Sequence, residues 1–534
     1  MDIKNFNQLE KATQFSQKEV MKLGLAVLFI LFSAALAYMS SLHITGNVMI
    51  LIFAAMVGGY MAINIGANDV ANNVGPAVGS RALTMGGAIL IAAICEASGA
   101  IIAGNDVVNT IRSEIIAKSV LENRETFTLI MLSALISGAL WLHLATAVGA
   151  PVSTTHSIVG AIMGAGIVAG GVGVVNWVEL ARIASSWIIS PLLGGVVAAL
   201  FLFIIKHAIT YQQDKIDAAR RVVPWLLFIM SGTFSLYLIT KGLNRIVSLP
   251  LSVGILLSLI IALLVFALSY PLIKKISGSM QNTKEEINRF FTIPLIFAAA
   301  LLSFAHGTND VANAIGPLAA ISEALGGNLA GSEVAASVPL WIMIVGGAGI
   351  SFGLALYGPK LIKAVGSEIT DLDQTRAFCI AMSAALTVLI ASGLGLPVSS
   401  THIAVGAVFG VGFLREHLKK RYYDMEQQII EAHQGGSATK VQEFLTRFRK
   451  ASVRQKGMLL KGLKRKVALG QLELDLPKFN KKEKKQLKKV YKEELVKRSA
   501  LNKIVATWVI TVPAAALLSA GVFALLLRLL PTPL

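Results

Sequence analysis

The stretch GANDVANNVGP at residues 66–76 returns as GTNDVANAIGP at residues 307–317, with eight of eleven residues identical. A second motif follows each copy in the same order, because PVSTTHSIVG at 151–160 returns as PVSSTHIAVG at 397–406 with seven of ten residues identical. The two sequence offsets, 241 and 246, are nearly equal. The chain therefore contains an internal repeat, and each copy carries one Asn-Asp motif and one Ser/Thr-rich motif.

A fainter third pair shows where the second copy is interrupted. WIISP at 187–191 returns as WVITVP at 508–513, at an offset well beyond that of the two stronger pairs. The segment from Arg415 to Lys503 carries 25 Lys/Arg and 10 Asp/Glu, or +15 of the net charge of +18. We interpret 415–503 as a basic insertion in the second copy that lies in the cytoplasm near anionic lipid. Charge runs are usually solvated faces, so we expect no nucleic-acid partner.

The composition is that of a membrane protein. Of the 534 residues, 55% are hydrophobic and only 15% are charged, and the mean hydropathy is +0.68. Apolar runs of about 20 residues recur, which is the length that a helix needs to cross the hydrocarbon core. The two cysteines, Cys95 and Cys379, lie in different apolar runs and indicate neither a disulfide framework nor a thiolate metal site. The predicted fold class is an all-α polytopic membrane protein.

The apolar runs predict about 11–13 membrane helical segments. The candidate spans are 22–42, 47–65, 84–104, 126–148, 152–175, 179–205, 222–241, 250–274, 290–306, 338–358, 376–394, 398–414 and 504–530. The first span is preceded by about twenty polar residues and followed by no clear cleavage site, so we interpret it as a retained membrane helix rather than a signal peptide. The spans that begin at Pro151 and Pro397 are rich in Gly, Ser and Thr, and we expect them to be broken or re-entrant.

The order of the spans predicts an inverted-topology repeat. Seven candidate spans lie between the two Asn-Asp motifs, and an odd number places the two copies in opposite orientations. The net-basic loops 206–221 and 274–290 and the 415–503 segment are separated by even numbers of spans, which places all three in the cytoplasm. Secondary transporters often have inverted repeats with the binding site between them, but channels can be built in the same way.

The repeat also divides the chain into six segments. The predicted segments are 1–46 with an extra membrane helix, 47–206 as repeat 1, 207–289 as a linker with two membrane helices, 290–414 as repeat 2, 415–503 as the basic insertion, and 504–534 as the last helix of repeat 2. We expect repeats 1 and 2 together to form the transport domain.

Each Asn-Asp motif offers a carboxylate and two amide oxygens in an apolar context. The candidate cation ligands are Asn68, Asp69 and Asn72 in the first copy and Asn309, Asp310 and Asn313 in the second. Such hard oxygen ligands suit Na⁺, Mg²⁺ or Ca²⁺, and residues four apart on a helix share one face. The Gly before and the Gly-Pro after each motif predict a helix interrupted at depth, with freed backbone carbonyls. The alternative is an Asn-Asp helix cap at the membrane surface.

Each Ser/Thr-rich motif offers three consecutive hydroxyls. The candidate anion-binding residues are Ser153, Thr154 and Thr155 in the first copy and Ser399, Ser400 and Thr401 in the second. The preceding proline is compatible with a helix start, where free N–H groups and hydroxyls form an anion site without a lysine. Neither motif contains Lys or Arg, so an anion there requires bound cations to offset Asp69 and Asp310. The alternative is that the hydroxyls bond helix carbonyls during packing.

Three further polar residues each have two open interpretations. His156 and His402 follow the hydroxyls, and they either carry protons or orient the loops. Glu96 lies within a candidate span, and it either serves the cation path or pairs with a buried donor. We expect no enzyme activity, because Ser153 and His156 share one short turn and the chain has no G-x-x-x-x-G-K-[ST] loop.

With GANDVANNVGP, PVSTTH, GTNDVANAIGP and PVSSTH in this order, the chain resembles the inorganic phosphate transporter family, the PiT permeases. The resemblance extends from about residue 47 to the C-terminus, interrupted by the basic insertion. It implies secondary transport of inorganic phosphate coupled to Na⁺ or H⁺, inverted repeats and a homodimer, and some bacterial members accept metal-phosphate complexes. It also implies that the hydroxyls at 153–155 and 399–401 contact phosphate while the Asn-Asp motifs bind the coupling cations. The helix at 22–42 and the late position of the insertion depart from the family pattern.

The resulting expectation is a symporter that imports inorganic phosphate by alternating access across a bacterial inner (plasma) membrane, with no cofactor besides the coupling ion. Two carboxylates and a phosphate would place three or four negative charges in a low-dielectric site. The load requires either bound Na⁺ or protonation of Asp69 or Asp310, and the choice between Na⁺ and H⁺ stays open. The alternatives are an anion channel and a carrier for sulfate, arsenate or a metal-phosphate complex.

Overall fold

The computed structural model describes residues 3–41, 46–117, 123–147, 152–245, 247–326, 338–368, 372–431 and 498–529. Within these residues the chain is almost entirely helical, and the only strand-like pairing is an isolated bridge between Ile116 and Val175. Eleven of the described helical segments are long and apolar enough to cross a membrane, and Thr154–Gly170 is a shorter apolar helix. The prediction of an all-α polytopic membrane protein is confirmed.

The helices fall into two halves. The first half contains α1 (Ile3–Ser40), α2 (Val48–Asn68), α3 (Ala71–Gly79), α4 (Met85–Ala103), α5 (Asn105–Asn109), α6 (Arg124–Ala147), α7 (Thr154–Gly170) and α8 (Trp177–Ile205). The second half contains α9 (Lys215–Tyr237), α10 (Leu251–Ile276), α11 (Lys284–Phe290), α12 (Thr292–Leu325), α13 (Leu340–Glu368), α14 (Gln374–Gly393), α15 (Ser400–Glu431) and α16 (Arg498–Leu529). Short π-helical segments extend α5, α8 and α9 at Thr110–Glu114, Lys206–Thr210 and Leu238–Gly242.

Two expectations concern the ends of this arrangement. The first apolar run forms the membrane-length segment Gln17–Ser40 of α1, which packs on α2 and α13 and stacks Phe29 on Phe352. Most of the basic insertion, residues 432–497, lies outside the described residues. Its described flanks continue α15 at one end and begin α16 at the other.

The Ser/Thr-rich motifs begin helices, as the sequence predicts. Ser153 precedes α7, and its Oγ accepts a hydrogen bond from the backbone N–H of His156 at 3.2 Å. Ser399 precedes α15, and its Oγ accepts one from the N–H of His402 at 3.3 Å. A side-chain oxygen at this position satisfies one of the unpaired N–H groups of the first turn. Both helix starts are buried rather than at a surface.

The helices α6 and α7 form a hairpin. The N–H of Ala117 donates to the carbonyl of Val174 at 2.7 Å, and the N–H of Asn176 donates to that of Ile115 at 2.9 Å. These bonds bring the segment before α6 next to the segment after α7, while the start of α7 lies in the interior. The arrangement is a helical hairpin, and α14 and α15 form its counterpart in the second half. A re-entrant course of these hairpins in the membrane stays a prediction.

Glycines bring the two halves into backbone contact at repeat-related places. A Cβ on Gly66 would lie 1.9 Å from the carbonyl oxygen of Ile350, and one on Gly307 would lie 2.2 Å from that of Glu96. The helix α2 therefore packs on α13 in the way that α12 packs on α4. Small residues allow such close approach of membrane helices.

Repeat-related glycines also bring backbones into contact at the last helix of each repeat. A Cβ on Gly160 would lie 2.6 Å from the carbonyl oxygen of Val512, and one on Gly406 would lie 2.2 Å from that of Pro191. The two glycines occupy the same position of the Ser/Thr-rich motif pair, and their partners lie in the WIISP and WVITVP segments of the third pair. Thus α7 packs on α16 as α15 packs on α8.

The expected interruption of the motif helices is wrong for the second copy and slight in the first. In the first copy only Asp69 and Val70 separate α2 from α3, and both keep right-handed helical dihedral angles. In the second copy α12 continues unbroken past Pro317. The physical reason is that the motif glycines serve helix contact, while a proline inside a membrane helix is accommodated when neighbouring helices and side chains compensate for the lost hydrogen bond.

Candidate functional site

The two motif aspartates meet in the interior. One ligand atom each from Asp69, His306 and Asp310 lies within 4.8 Å of the other two. All three residues are at most 2% exposed. Carboxylates from the two copies of the repeat, far apart in the sequence, therefore converge where the α2–α3 segment passes α12.

Each aspartate is bonded to hydroxyls from the hairpin helices. Thr401 Oγ1 donates to Asp69 Oδ1 at 3.2 Å, and Thr154 also hydrogen-bonds to Asp69. Ser400 Oγ donates to Asp310 Oδ2 at 2.8 Å. The Ser/Thr-rich motifs and the Asn-Asp motifs are therefore parts of one composite cluster.

The second asparagine of each motif faces the hairpin of the other repeat. Asn72 Nδ2 donates to Thr401 Oγ1 at 3.0 Å. Asn313, its repeat counterpart, donates from Nδ2 to the hydroxyls of Thr154 and Thr155, both at 3.1 Å. Because the amide nitrogens point at the hydroxyls, the amide oxygens point elsewhere.

Two buried oxygen atoms on α12 have no donor among the described residues. Asp310 Oδ1 and Asn313 Oδ1 accept no hydrogen bond there, although both side chains are at most 1% exposed. An unsatisfied buried acceptor costs about 1–3 kcal/mol, and more when it is charged. Carboxylate and amide oxygens beside Thr154 are ligands that suit a small hard cation. This part of the cluster therefore fits a bound cation.

The first asparagines of the two motifs differ in their surroundings. Asn309 donates from Nδ2 to Ser392 Oγ at 2.9 Å and to the carbonyl of Leu396 at 3.1 Å, and its Oδ1 accepts the N–H of Val398 at 3.1 Å. Asn68 Nδ2 finds no acceptor within the part of the chain that the structure describes. Asn309 is thus fully engaged by the loop between α14 and α15, and its role as a cation ligand stays a prediction.

The six predicted anion-binding hydroxyls do not all face the aspartates. Thr154, Ser400 and Thr401 bond to the two carboxylates, whereas the hydroxyls of Ser153 and Ser399 cap their helices. The hydroxyl of Thr155 donates to the carbonyl of Val398 at 2.9 Å and so joins the two hairpins. The first turns of both helices therefore contact the aspartates through Thr154, Ser400 and Thr401.

A buried polar chain joins Glu96 to the cluster, and the sequence reasoning missed its central residue. His306 lies with Nδ1 2.6 Å from Glu96 Oε2 and with Nε2 2.8 Å from Asp310 Oδ2. Asn73 Nδ2 donates to Glu96 Oε1 at 2.8 Å. These contacts pair Glu96 with buried polar groups, and its role on a cation path stays a prediction. The available signal was a histidine in an apolar run, four residues before Asp310 and so on the same helix face.

The motif histidines lie against each other. The rings of His156 and His402 meet edge to face with centroids 4.7 Å apart, and His156 also packs on Trp187 at 3.9 Å. Both histidines are buried at the beginnings of α7 and α15. The contact ties the two hairpins together, and both interpretations of the pair stay open.

The comparisons with known proteins agree on one family. The family model described as "Phosphate transporter family" matches residues 65–519. A protein of Helicobacter pylori named as a phosphate permease is 55% identical over 98% of both chains. A Pyrococcus furiosus protein with a similar name is 40% identical over 71% of this chain and 91% of its own.

A solved structure leads to the same conclusion. The structure titled "The sodium-dependent phosphate transporter" superposes with a TM-score of 0.70 at 32% sequence identity, covering 90% of this chain and 99% of its own. The resemblance seen in the motifs is thereby confirmed, and the family consists of transporters rather than enzymes. The chain is a multi-pass membrane protein that belongs to the phosphate transporter family.

Proposed function

We propose that this protein is a Na⁺-coupled symporter that imports inorganic phosphate by alternating access across a bacterial inner membrane. The observation that carries the proposal is the convergence of the carboxylates of Asp69 and Asp310. Two buried oxygen atoms at this place, Asp310 Oδ1 and Asn313 Oδ1, accept no hydrogen bond from any described residue. Carboxylate and amide oxygens in this arrangement bind a cation more naturally than they bind an anion directly. We assign Asp69 and Asn72 of the first copy and Asp310 and Asn313 of the second copy to the cation sites.

The phosphate would bind between the beginnings of α7 and α15. The hydroxyls of Thr154, Thr155, Ser400 and Thr401 lie there, and all four are buried. Helix N-termini attract anions through their free N–H groups and their partial positive charge. In the bound state these hydroxyls would turn from the carboxylates and carbonyls toward the phosphate oxygens.

The charges explain why anion and cation must travel together. Two unit charges 4 Å apart interact by about 4 kcal/mol at an effective dielectric constant of 20. A phosphate next to two carboxylates would be repelled by each of them, and two bound Na⁺ would offset this repulsion. The solved relative of this fold is described as sodium-dependent, which favours Na⁺ over H⁺ as the coupling ion.

Two further features belong to the proposal. We expect the protein to be a homodimer in the bilayer, since the family resemblance implies one. The linker helices α9 and α10 carry a large exposed apolar surface, including Leu256, Leu263 and Leu268, that suits contact with lipid or a second copy.

Purified protein in liposomes tests the function. Labelled phosphate should accumulate above its outside concentration under an inward Na⁺ gradient, and collapsing that gradient with a Na⁺ ionophore should abolish the accumulation. The same assay with an imposed pH gradient in Na⁺-free buffer tests proton coupling. Excess sulfate should compete poorly. Purely downhill flux, or equal uptake of sulfate, would overturn the proposal in favour of an anion channel or a different oxyanion carrier.

A further inference from the structure

Asn309 fastens the loop between α14 and α15. This loop comprises residues 394–399, and three hydrogen bonds join Asn309 to its surroundings: to Ser392 Oγ, to the Leu396 carbonyl and from the Val398 N–H. Asn309 is 0% exposed. Both ends of its amide are therefore committed to holding the loop against α12.

Further bonds hold the same loop from other helices. Thr110 Oγ1 donates to the carbonyl of Gly395 at 2.7 Å, and Arg182 Nη2 donates to that of Leu394 at 3.2 Å. Trp187 Nε1 donates to the carbonyl of Pro397 at 3.0 Å. These bonds hold the loop against the neighbouring helices, and the side chain of Val398, within the loop, is fully buried.

The repeat supplies the same chemistry on the other side, but the bonds are not made among the described residues. Asn68 is the counterpart of Asn309 in the Asn-Asp motif, and its Nδ2 reaches no described acceptor. Thr146 and Val152 are the counterparts of Ser392 and Val398 at the offset of the Ser/Thr-rich motifs. Thr146 keeps the hydroxyl of that position but donates it to the carbonyl of Leu142 at 2.8 Å.

We propose that Asn309 and Asn68 are alternative latches of the two hairpins, and the inference rests on the proposed alternating access. Asn309 holds the α14–α15 hairpin in the state seen here. In the opposite-facing state Asn309 lets go, and Asn68 binds the α6–α7 hairpin through Thr146 and the N–H of Val152. Two inverted copies of one unit reach the opposite state by exchanging their conformations. In either of the two states, one asparagine is bonded to its hairpin and its repeat counterpart is not, and this difference is seen here between Asn309 and Asn68.

The latch also connects the hairpin to the candidate site. Asn309 precedes Asp310 on α12, and the loop it holds leads directly into Ser400 and Thr401, which bond to the two aspartates. Release of Asn309 therefore loosens the hydroxyls from the carboxylates at the moment when the loop opens. In this proposal Asn309 acts as a positioning residue, because both ends of its amide are bonded around the loop in the state seen here.

A single cysteine in the loop, at a position that is buried in this structure, reports the state of the latch. The reporter is Val398→Cys, in a background in which Cys95 and Cys379, the two cysteines of the chain, are replaced by alanine. Its rate of modification by a charged thiol reagent is measured on the purified full-length protein in detergent. The buffer contains choline in place of Na⁺ and no phosphate, so that ligand binding does not change the modification rate.

Asn309→Ala and Asn68→Ala should shift this rate in opposite directions. Each hydrogen bond contributes about 1 kcal/mol, so we expect Asn309→Ala to accelerate modification about tenfold and Asn68→Ala to slow it. The double variant should return to within about twofold of the parent rate, because both states lose their latch. Ser392→Ala removes one bond and should accelerate modification by a smaller factor, while Thr146→Ala should not accelerate it.

General damage to the fold would accelerate modification in both single variants and most in the double variant, which would overturn the proposal. An unchanged rate in both Asn309→Ala and Ser392→Ala would overturn it as well. The readout needs no transport, so it separates the latch from the proposed function. If the modification rate shifts in opposite directions in Asn309→Ala and Asn68→Ala but the protein does not accumulate phosphate, the latch is supported and the symporter is refuted. If the rate shifts in the same direction in both variants but the protein shows coupled uptake, the latch is refuted and the symporter is supported.

Discussion

Glu96 and His306 form a buried contact of 2.6 Å between the two repeats, and neither residue has a polar counterpart in the other copy. When the two Asn-Asp motifs are aligned, Ile65 takes the place of His306, and Ala314 takes the place of Asn73, the other partner of Glu96. Packing aligns Glu96 with Ile350, because their carbonyls face the two motif glycines. One side of the site therefore carries a polar chain where the other side is apolar, and the site is not symmetric.

The repeat itself provides an apolar replacement for this chain. Glu96→Ile alone should lower the free energy of unfolding by about 3–5 kcal/mol, since it leaves His306 buried without its partner. The triple variant Glu96→Ile, His306→Ile, Asn73→Ala copies the other repeat and should recover most of that loss. Thermal unfolding in detergent measures both. A triple variant as unstable as Glu96→Ile would contradict this prediction, because it would show that Asn73, Glu96 and His306 stabilise the fold by more than their mutual hydrogen bonds.

The charge of each aspartate should be essential for coupled uptake. Asp69→Asn and Asp310→Asn keep the shape but remove the charge, and we expect either to reduce Na⁺-driven phosphate uptake by at least about 100-fold through weaker cation binding. Asp217→Asn is the matched control, because Asp217 lies at a half-exposed position on α9 far from the motifs in sequence. Immunoblots of membranes verify insertion. Near-normal uptake in either motif variant contradicts the cation role.

The glycines between the halves should tolerate no side chain. Gly66→Ala would place a Cβ 1.9 Å from the Ile350 carbonyl oxygen, and a backbone atom cannot turn aside as a side chain can. We expect a severe loss of folded protein, judged by yield and gel filtration. Gly86→Ala on α4 is the control, since no described atom outside the chain neighbours and the nearby backbone of its own helix lies within 4 Å of the added Cβ, and alanine favours a helix by about 1 kcal/mol. Equal yields for the two variants would contradict the packing.

Comparison of the two copies predicted those residues of the candidate site that recur in both copies, and no others. The Asn-Asp and Ser/Thr-rich motifs were identified because they recur in the sequence, and the opposite membrane orientation of the two copies implies that Asp69 and Asp310 face each other. His306 and Glu96 break the repeat, so comparison of the copies could not indicate that they touch. Contacts between residues 210 positions apart depend on tertiary packing, which no local pattern encodes.

Local sequence patterns also could not predict whether the motif helices are continuous. Glycine and proline commonly mark breaks, but Gly307 serves a helix crossing and Pro317 sits within unbroken α12. Likewise the length of an apolar run does not distinguish a crossing from a hairpin arm. What the structure adds is the position of the helix starts, since Ser153 and Ser399 cap their helices in the buried interior.

The binding of Na⁺ and phosphate should be cooperative in unfolding experiments. A ligand that binds only the folded state raises its stability with ligand concentration, so saturating Na⁺ should raise the Tm. Phosphate should add a further increase in Na⁺ buffer and none in choline buffer, because without cations the carboxylates of Asp69 and Asp310 repel it. Asn313→Ala removes an oxygen that no described residue donates to, so it should weaken the Na⁺ effect on the Tm. It also removes the bonds from Asn313 Nδ2 to the hydroxyls of Thr154 and Thr155, so the Tm in choline should fall as well, and the comparison is between the Na⁺-dependent increments of the two proteins. A phosphate effect that ignores Na⁺ but grows as the pH falls would instead assign the coupling to protons.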